Sequence, residues 1–192
     1  MREIINTIIV KEYIGSKYQG SFNEFCSKEL DVLLINGYTG IGKTYSMIAY
    51  AKANPNKKIV LACPTQLLVD NIKNDEAYKE IARFCGYGGR FAEDMYNQNF
   101  VVTTYDTALK MIGIDEIFID EAHEIAGSAD YRDAVVQIMQ KNCKKILITA
   151  TPEVIIDLQY FDNTFESVIC FQKLVEDENV VIVKSKKKAI NL

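Results

Sequence analysis

The chain has 192 residues, of which 48% are hydrophobic and 25% are charged, and this composition fits one globular domain with its own core. Its net charge of −4 excludes a global positive field for nucleic acid, so any nucleic-acid contact must use a local patch. The cysteines are odd in number and form no Cys-x2-Cys pair, which disfavours zinc and a disulfide framework. They are Cys26, Cys63, Cys85, Cys143 and Cys170. With no run long enough to span a membrane, we expect a cytoplasmic protein in a reducing compartment.

The first firm signal along the chain is a glycine-rich segment between a strand and a helix. It follows residues 1–31, where the apolar patch Ile4–Val10 predicts either a strand or a helix. Val32–Ile35 predicts a strand buried on both faces, as in a parallel sheet covered by helices. Gly37–Thr44 then reads Gly-x4-Gly-Lys-Thr, and the apolar residues of Tyr45–Lys52 predict a helix. This context is the one in which such a segment binds phosphate.

The composition of this phosphate loop explains its chemistry. Glycine lets the backbone curl so that successive N–H groups point at a triphosphate, and the next helix adds its positive dipole end. Lys43 is placed to hold the β- and γ-phosphates, and the Thr44 hydroxyl is placed to ligate Mg²⁺. The predicted nucleotide-binding residues are Gly37, Tyr38, Thr39, Gly40, Ile41, Gly42, Lys43 and Thr44.

Three residues upstream of the loop allow two interpretations. Tyr13, Tyr18 and Gln19 lie where some ATPases hold adenine, although no adenine-recognising glutamine motif is recognisable there. The favoured interpretation is a surface element that packs on the edge of the sheet.

Short apolar runs alternate with helical stretches along the rest of the chain. Strands are predicted at Ile59–Cys63, Phe100–Val102, Ile117–Ile119, Ile146–Ile148, Val168–Phe171 and Val180–Val183, and helices at Leu67–Ile72 and after Ser128. The alternation predicts an α/β fold with a mostly parallel central sheet and helices on both faces. Ligands bind at the carboxyl edge of such sheets, so the polar segments 36–44, 63–66, 103–107, 120–123 and 149–152 are expected to meet there. The glycine-rich segment Cys85–Arg90 is expected to lie away from that edge.

A second polar cluster follows the Ile117–Ile119 strand. Asp120 is placed to hold Mg²⁺ opposite Thr44, and Glu121 to orient and deprotonate an attacking water. His123, the one histidine in the chain, lies beside them, and we expect it to couple or to sense the γ-phosphate. The predicted catalytic residues are Lys43, Asp120, Glu121 and His123, and the predicted metal ligands are Thr44 and Asp120.

Together these residues resemble the first, RecA-like domain of superfamily 2 helicases of the DEAD/DEAH-box type. Gly37–Thr44 is similar to motif I, Asp120–His123 matches motif II letter for letter, and Thr149–Thr151 is similar to motif III. The resemblance implies ATP and Mg²⁺ as cofactors, and coupling of the ATP site to nucleic acid through Thr149 and Thr151. Segments similar to motif Ia and to a later threonine element contact the nucleic-acid backbone in this family. The contacts implied here are Pro64, Thr65, Gln66, Thr104, Tyr105 and Asp106.

The chain also departs from the family pattern. The first position of motif I is usually alanine and is Gly37 here, and nothing after Pro152 resembles the second RecA-like domain, which carries the arginines that complete hydrolysis. We therefore expect three parts, namely an N-terminal element on the ATPase core at 1–31, the RecA-like domain at 32–183, and a basic tail or the start of a linker at 184–192.

The resemblance implies the ATP-binding motor domain of a DEAH-box-type helicase or translocase. Its expected partners are single-stranded or partly duplex DNA or RNA and a second RecA-like domain, without which hydrolysis should be slow. The alternative is a stand-alone ATP-binding switch that recruits a partner without turnover. A small-molecule kinase is disfavoured, because it needs no Asp-Glu-Ala-His followed by Thr-Ala-Thr.

Overall fold

A parallel β-sheet forms the centre of the molecule. The computed structural model describes residues 6–10, 13–88, 95, 97–126, 129–151 and 167–173. Within these residues the strands are β1 (Asn6–Val10), β2 (Val32–Gly37), β3 (Ile59–Cys63), β4 (Phe100–Thr104), β5 (Glu116–Ile119), β6 (Lys144–Thr149) and β7 (Ser167–Lys173). Their order is β1-β7-β2-β6-β5-β3-β4, and all neighbouring pairs are parallel. The predicted α/β fold is thereby confirmed.

Helices cover both faces of this sheet. They are α1 (Gln19–Cys26), α2 (Lys43–Ala53), α3 (Gln66–Asn74), α4 (Tyr105–Lys110) and α5 (Ala129–Met139), with a π-helical turn at Ile14–Tyr18 and 3₁₀ segments at Glu76–Phe84 and Ala122–Ala126. Successive strand residues point to opposite faces, so Leu33 joins the apolar cluster with α1, α2 and α3, whereas Leu34 joins the cluster with α4 and α5. None of the helices within the described ranges is both long and apolar enough to cross a membrane.

Most predicted strands and helices lie where the apolar runs placed them, and the N-terminal apolar patch is strand β1. Helix α1, the short helix α4 and the 3₁₀ segment Glu76–Phe84 were not predicted. Helix α4 spans only six residues, and a 3₁₀ segment repeats every three residues and so lacks the α-helical apolar period. The predicted strand Val180–Val183, the capping Ser128 and the tail 184–192 lie outside the described residues.

The expectation for the glycine-rich segment Cys85–Arg90 is wrong in its described part. Cys85 forms an isolated parallel bridge with Val102 of β4, and the Gly86 amide donates to the Val102 carbonyl at 3.0 Å. The Gly88 amide donates to Thr107 Oγ1 at 3.0 Å, so the loop returns to the carboxyl edge of the sheet. A single bridge of this kind leaves no periodic pattern in the sequence.

Aromatic rings join the first two helices to the middle of the sheet. Phe118 of β5 is 1% exposed. Its ring stacks on Phe22 of α1, with 6.4 Å between centroids, and meets Tyr50 of α2 edge-on at 5.7 Å. The layer that supports the carboxyl edge therefore depends on this ring.

We predict that Phe118→Ala lowers the free energy of unfolding by about 3–5 kcal/mol, because the neighbouring rings cannot close the cavity. Urea denaturation measures the loss. The control is Ile112→Ala, at a side chain that is 80% exposed, which should change stability by less than about 0.5 kcal/mol. A loss below about 1 kcal/mol for Phe118→Ala would contradict this account of the core.

Candidate nucleotide-binding site

The register of the sheet brings three predicted polar segments side by side. Asn36, which precedes the phosphate loop, pairs with Thr149 at the end of β6. The next pair along the edge joins Ile119, which precedes Asp120, to Leu147 of β6. Because β2, β6 and β5 are consecutive in the sheet, the phosphate loop, Thr149 and the acidic pair lie at adjoining strand ends.

The phosphate loop holds a buried cation. Gly42 precedes α2 with φ of 88°, in the left-handed region that strains other residues, and α2 begins with Lys43. The Lys43 side chain is only 8% exposed, and its Nζ donates to the carbonyls of Gly37 at 3.0 Å and Tyr38 at 3.4 Å. The ammonium group therefore lies inside the loop, where it can receive an anionic ligand in exchange for these carbonyls.

Asp120 is a buried carboxylate next to this loop. Its amide donates to the Ala62 carbonyl at 2.9 Å, its Oδ1 accepts from the Glu121 amide at 3.0 Å, and the residue is 6% exposed. Burial, and then the charge of Glu121, raise the pKa of Asp120 to about 6, and Lys43 opposes this only in part. A divalent cation bound here would offset the free-energy cost of a buried carboxylate that has too little positive charge around it.

The donor set of this site fits Mg²⁺. Magnesium takes oxygen ligands and is commonly held by one or two carboxylates together with substrate phosphates. The Asp120 carboxylate is of this type, and Thr44, the second residue of α2, adds a half-buried hydroxyl. These two residues would hold the ion.

Glu121 changes the direction of the chain after β5. Its φ of 50° is in the left-handed region, and the 3₁₀ segment Ala122–Ala126 follows directly. A non-glycine residue with this φ carries strain of about 1–3 kcal/mol, and such strain is found most often at functional sites. Unlike Asp120, Glu121 is partly exposed, so its carboxylate can reach a ligand or water.

His123 connects the acidic pair to the end of β6. Its Nδ1 lies 3.3 Å from Glu121 Oε2 and 3.1 Å from Thr149 Oγ1. Thr149 is fully buried, and its Oγ1 also accepts from the Thr151 amide at 3.0 Å. The His123 ring thus lies between the two, at hydrogen-bonding distance from the Thr149 hydroxyl and at ion-pair distance from the Glu121 carboxylate.

The residues predicted to contact nucleic acid at the end of β3 have mixed exposure. Pro64 is buried, and Thr65 caps α3 by accepting from the Leu68 amide at 3.3 Å. Gln66 is exposed at the first position of α3. Of these side chains, that of Gln66 is the most accessible to a ligand.

Exposure is also mixed at the corner between β4 and α4, and one nucleic-acid contact expected there needs correction. Thr104 is 8% exposed, with its Oγ1 3.2 Å from Thr107 Oγ1, whereas Asp106 is exposed. Tyr105 is 1% exposed, and its hydroxyl donates to the Asp120 carbonyl at 2.5 Å. The Tyr105 side chain is therefore not available to nucleic acid, because it packs in the core beneath the acidic pair.

The segment around Gln19 packs against the phosphate loop, which the favoured interpretation of the sequence did not expect. The Ile14 amide donates to the Ile41 carbonyl at 3.0 Å, and Gln19 Nε2 donates to the Ser46 carbonyl at 3.0 Å. A Cβ at Gly15 would lie 2.5 Å from Tyr45 Cδ1, so any other residue here would require the exposed Tyr45 ring to move. The placement on the sheet edge was wrong for these residues, since it is β1 that occupies the edge.

Gln19 also has a buried acceptor. Its Nε2 donates to Asn23 Oδ1 at 2.8 Å as well, whereas its Oε1 is buried with no hydrogen-bond partner among the described residues. Tyr13, nearby at the loop, is 59% exposed. In the sequence, this contact was signalled only by Gln19 itself, upstream of Gly37, and a single residue is a weak motif.

Comparison with known proteins agrees with this geometry. The family profile described as "Type III restriction enzyme, res subunit" matches residues 3–154. The Hef helicase domain of Pyrococcus furiosus is 21% identical, with a TM-score of 0.57 over 81% of this chain and 37% of that structure. The UvsW helicase of bacteriophage T4 is 17% identical, with a TM-score of 0.57 over 84% of this chain and 64% of that structure.

The chain spans less than two thirds of either helicase structure, at 37% and 64% of their lengths. No curated protein matches it. The family match covers most of the sequence and contains all three motifs of the predicted nucleotide site. The chain therefore belongs to the type III restriction enzyme res subunit family, and its fold is that of the RecA-like first domain of superfamily 2 helicases.

Proposed function

We propose that this chain is the ATP-binding motor domain of a DEAH-box-type helicase or translocase that acts on DNA or RNA. The observation that carries the proposal is the position of His123 beside the phosphate loop, where its Nδ1 lies 3.3 Å from the Glu121 carboxylate and 3.1 Å from the Thr149 hydroxyl. A site that only binds nucleotide needs the loop and a metal ligand. Hydrolysis coupled to movement also needs a connection from the acidic pair to other strand ends, and His123 supplies one.

Each residue has a distinct task in the proposed reaction. Lys43 exchanges the carbonyls of Gly37 and Tyr38 for the β- and γ-phosphate oxygens. Thr44 and Asp120 hold Mg²⁺, which neutralises charge on the phosphates when bound. Glu121 takes a proton from a water that attacks the γ-phosphorus, while the bond to the β–γ bridging oxygen breaks and ADP leaves.

The packing of the N-terminal segment supports adenine as the base. Both Nε2 hydrogens of Gln19 are already donated, to the Ser46 carbonyl and to Asn23 Oδ1, so the side chain has an acceptor to offer to the N6 amino group of adenine. The buried Oε1 of Gln19 lacks a partner within the described ranges, and the exposed ring of Tyr13 offers a stacking surface near Gly42. We assign adenine recognition to Gln19 and Tyr13.

The proposed nucleic-acid track runs over the ends of β3 and β4. Gln66 and Asp106 are exposed there, and the returned loop Gly86–Gly88 lies beside them. With a net charge of −4, phosphate contacts must come from a local set of cationic and polar groups on this track, or from a second RecA-like domain. That second domain would also supply the arginine that stabilises charge on the γ-phosphate.

Removal of the loop cation tests nucleotide binding. Lys43→Ala is expected to abolish binding of ATP·Mg²⁺, because the central positive charge of the loop is lost. Isothermal calorimetry measures the affinity. The matched control is Lys52→Ala at the other end of α2, where Lys52 pairs with the exposed Glu80, and this variant should bind ATP like the parent. Undiminished affinity in Lys43→Ala would refute the phosphate-loop assignment.

Replacement of the buried carboxylate tests the metal site. The pKa of Asp120 is about 6 in the folded chain, against an ordinary 3.8. The folded chain therefore holds this proton more tightly than the unfolded chain, and its stability falls as the pH rises between these two values. Above pH 6 the ionised Asp120 opposes folding by the full amount. Asp120→Asn should therefore raise the free energy of unfolding at pH 8 by up to about 3 kcal/mol, with no difference near pH 3, and should remove the Mg²⁺ dependence of ATP binding.

Chemical denaturation at both pH values and calorimetry with and without Mg²⁺ measure these effects. Asp133→Asn is the control, because Asp133 is exposed on α5 and the change should alter neither property. An Asp120→Asn variant that is less stable than the parent at pH 8, or that keeps the Mg²⁺ dependence, would contradict the assignment.

Glu121→Gln tests the chemical step. The substitution keeps the size of the side chain and a hydrogen-bonding group near His123 but removes the base, so ATP affinity should stay within about 2-fold while hydrolysis falls about 10²-fold or more. Single-turnover hydrolysis measures the rate, with Lys43→Ala as the blank for contaminating activity. Glu124→Gln removes a neighbouring charge 4.0 Å from His123 Nε2 and should have little effect.

Equal rates in Glu121→Gln and the parent would show that another group is the base. A parent that binds ATP but hydrolyses none, even with single-stranded DNA or RNA and a second RecA-like domain supplied, would favour the alternative of an ATP-binding switch.

A further inference from the structure

We propose that Tyr105 is a positioning residue that holds the peptide preceding Glu121 and thereby connects the corner between β4 and α4 to the acidic pair. The inference rests on the proposed function, in which Glu121 activates the attacking water. It gives Tyr105 a task different from the nucleic-acid contact expected from the sequence.

The geometry places the Tyr105 hydroxyl on the backbone of the acidic pair. Tyr105 is the first residue of α4, and its side chain extends past the end of β3, the strand between β4 and β5 in the sheet. Its hydroxyl donates to the Asp120 carbonyl at 2.5 Å and lies 3.5 Å from the Glu121 carbonyl. Tyr105 shares an apolar cluster with Ala62 of β3, and this small residue leaves room for the ring.

One peptide plane is held at both of its polar atoms. The Asp120 carbonyl and the Glu121 amide belong to the same peptide, so Tyr105 holds its oxygen, while Asp120 Oδ1 accepts from its nitrogen at 3.0 Å. The next dihedral is the left-handed φ of Glu121, at 50°. A backbone in this region stays there only when its surroundings hold it, and the two hydrogen bonds do so.

The phenol remains a donor under all ordinary conditions. Burial, and then the charge of Asp120, raise the pKa of Tyr105 well above its usual value. An ionised phenolate beside a carbonyl and a carboxylate would be repelled, so the hydroxyl keeps its proton.

The position of Tyr105 makes this contact a link between two surfaces. The exposed Asp106 is the next residue along the chain, and it lies on the proposed nucleic-acid track. A strand bound there would shift the start of α4, and the buried ring would transmit the shift to the peptide before Glu121. His123 contacts the Glu121 carboxylate from the side of β6, so Tyr105 supplies a second and independent connection to Glu121.

Tyr105→Phe tests the inference, because it removes the hydroxyl and keeps the ring. The matched control is Tyr50→Phe. It also removes a buried hydroxyl that donates to a backbone carbonyl, but this carbonyl belongs to Cys26, at 3.4 Å, and not to the acidic pair. The measurements are ATP affinity by calorimetry and single-turnover hydrolysis with the chain in excess over γ-labelled ATP, with and without single-stranded DNA or RNA.

We expect Tyr105→Phe to keep ATP affinity within about 2-fold while the hydrolysis rate falls about 10-fold or more, and any stimulation by nucleic acid to be lost. Tyr50→Phe should behave like the parent at the same ATP saturation. Added to Glu121→Gln, Tyr105→Phe should cause no further loss of rate, since the hydroxyl acts through that carboxylate.

Three results would overturn the inference while leaving the proposed function intact. They are a Tyr105→Phe rate no lower than that of Tyr50→Phe, a loss of ATP affinity as large as the loss of rate, and a full additional loss in the Glu121→Gln background. If instead the parent hydrolyses ATP no faster than Lys43→Ala, the proposed function fails, and the inference fails with it.

Discussion

The parallel pairing of β2 with β6, and of β6 with β5, is the constraint on which the rest of the molecule depends. It aligns Asn36 with Thr149 and Ile119 with Leu147, so that the phosphate loop, Thr149 and the acidic pair leave the sheet at adjoining positions. These strands are far apart in the sequence, and parallel neighbours require crossovers that cover both faces with helices. The fold and the site therefore have the same origin.

The site carries energetic costs that the surrounding core must offset. Asp120 is a carboxylate buried enough to raise its pKa to about 6, Glu121 has a left-handed backbone, and Lys43 has its ammonium group inside the loop. Directly beneath them, β5 is packed on both faces, with Ile119 fully buried and the Phe118 ring in contact with Phe22 of α1 and Tyr50 of α2. A tightly packed strand of this kind cannot relax locally, and strained functional groups persist in such places.

Two connections reach the acidic pair from opposite sides of β5. His123 joins the Glu121 carboxylate to Thr149 of β6, whereas Tyr105 reaches the backbone of the same pair from β4, beyond β3. One contact acts on the side chain and the other on the peptide. In the proposed motor, a shift at either neighbouring strand end would change the position of one carboxylate, which is a simple physical basis for coupling.

The amino-acid sequence by itself determined the strand-forming segments and the chemistry at their ends. Runs such as Ile59–Cys63 are apolar throughout because both faces of the strand are covered, and the phosphate loop and Asp120–His123 are contiguous segments with fixed spacing. The family can be identified from these local features, because recognising them does not require the order of the strands.

Only the tertiary structure decided which distant residues meet. Gln19 lies against α2, the loop ending at Gly88 returns to the carboxyl edge, and Tyr105 turns inward to the Asp120 carbonyl. The raised pKa of Asp120 likewise depends on how deeply the carboxylate is buried. None of these leaves a periodic or contiguous pattern, because each is a single contact between segments whose separation in space is set by the order of the strands.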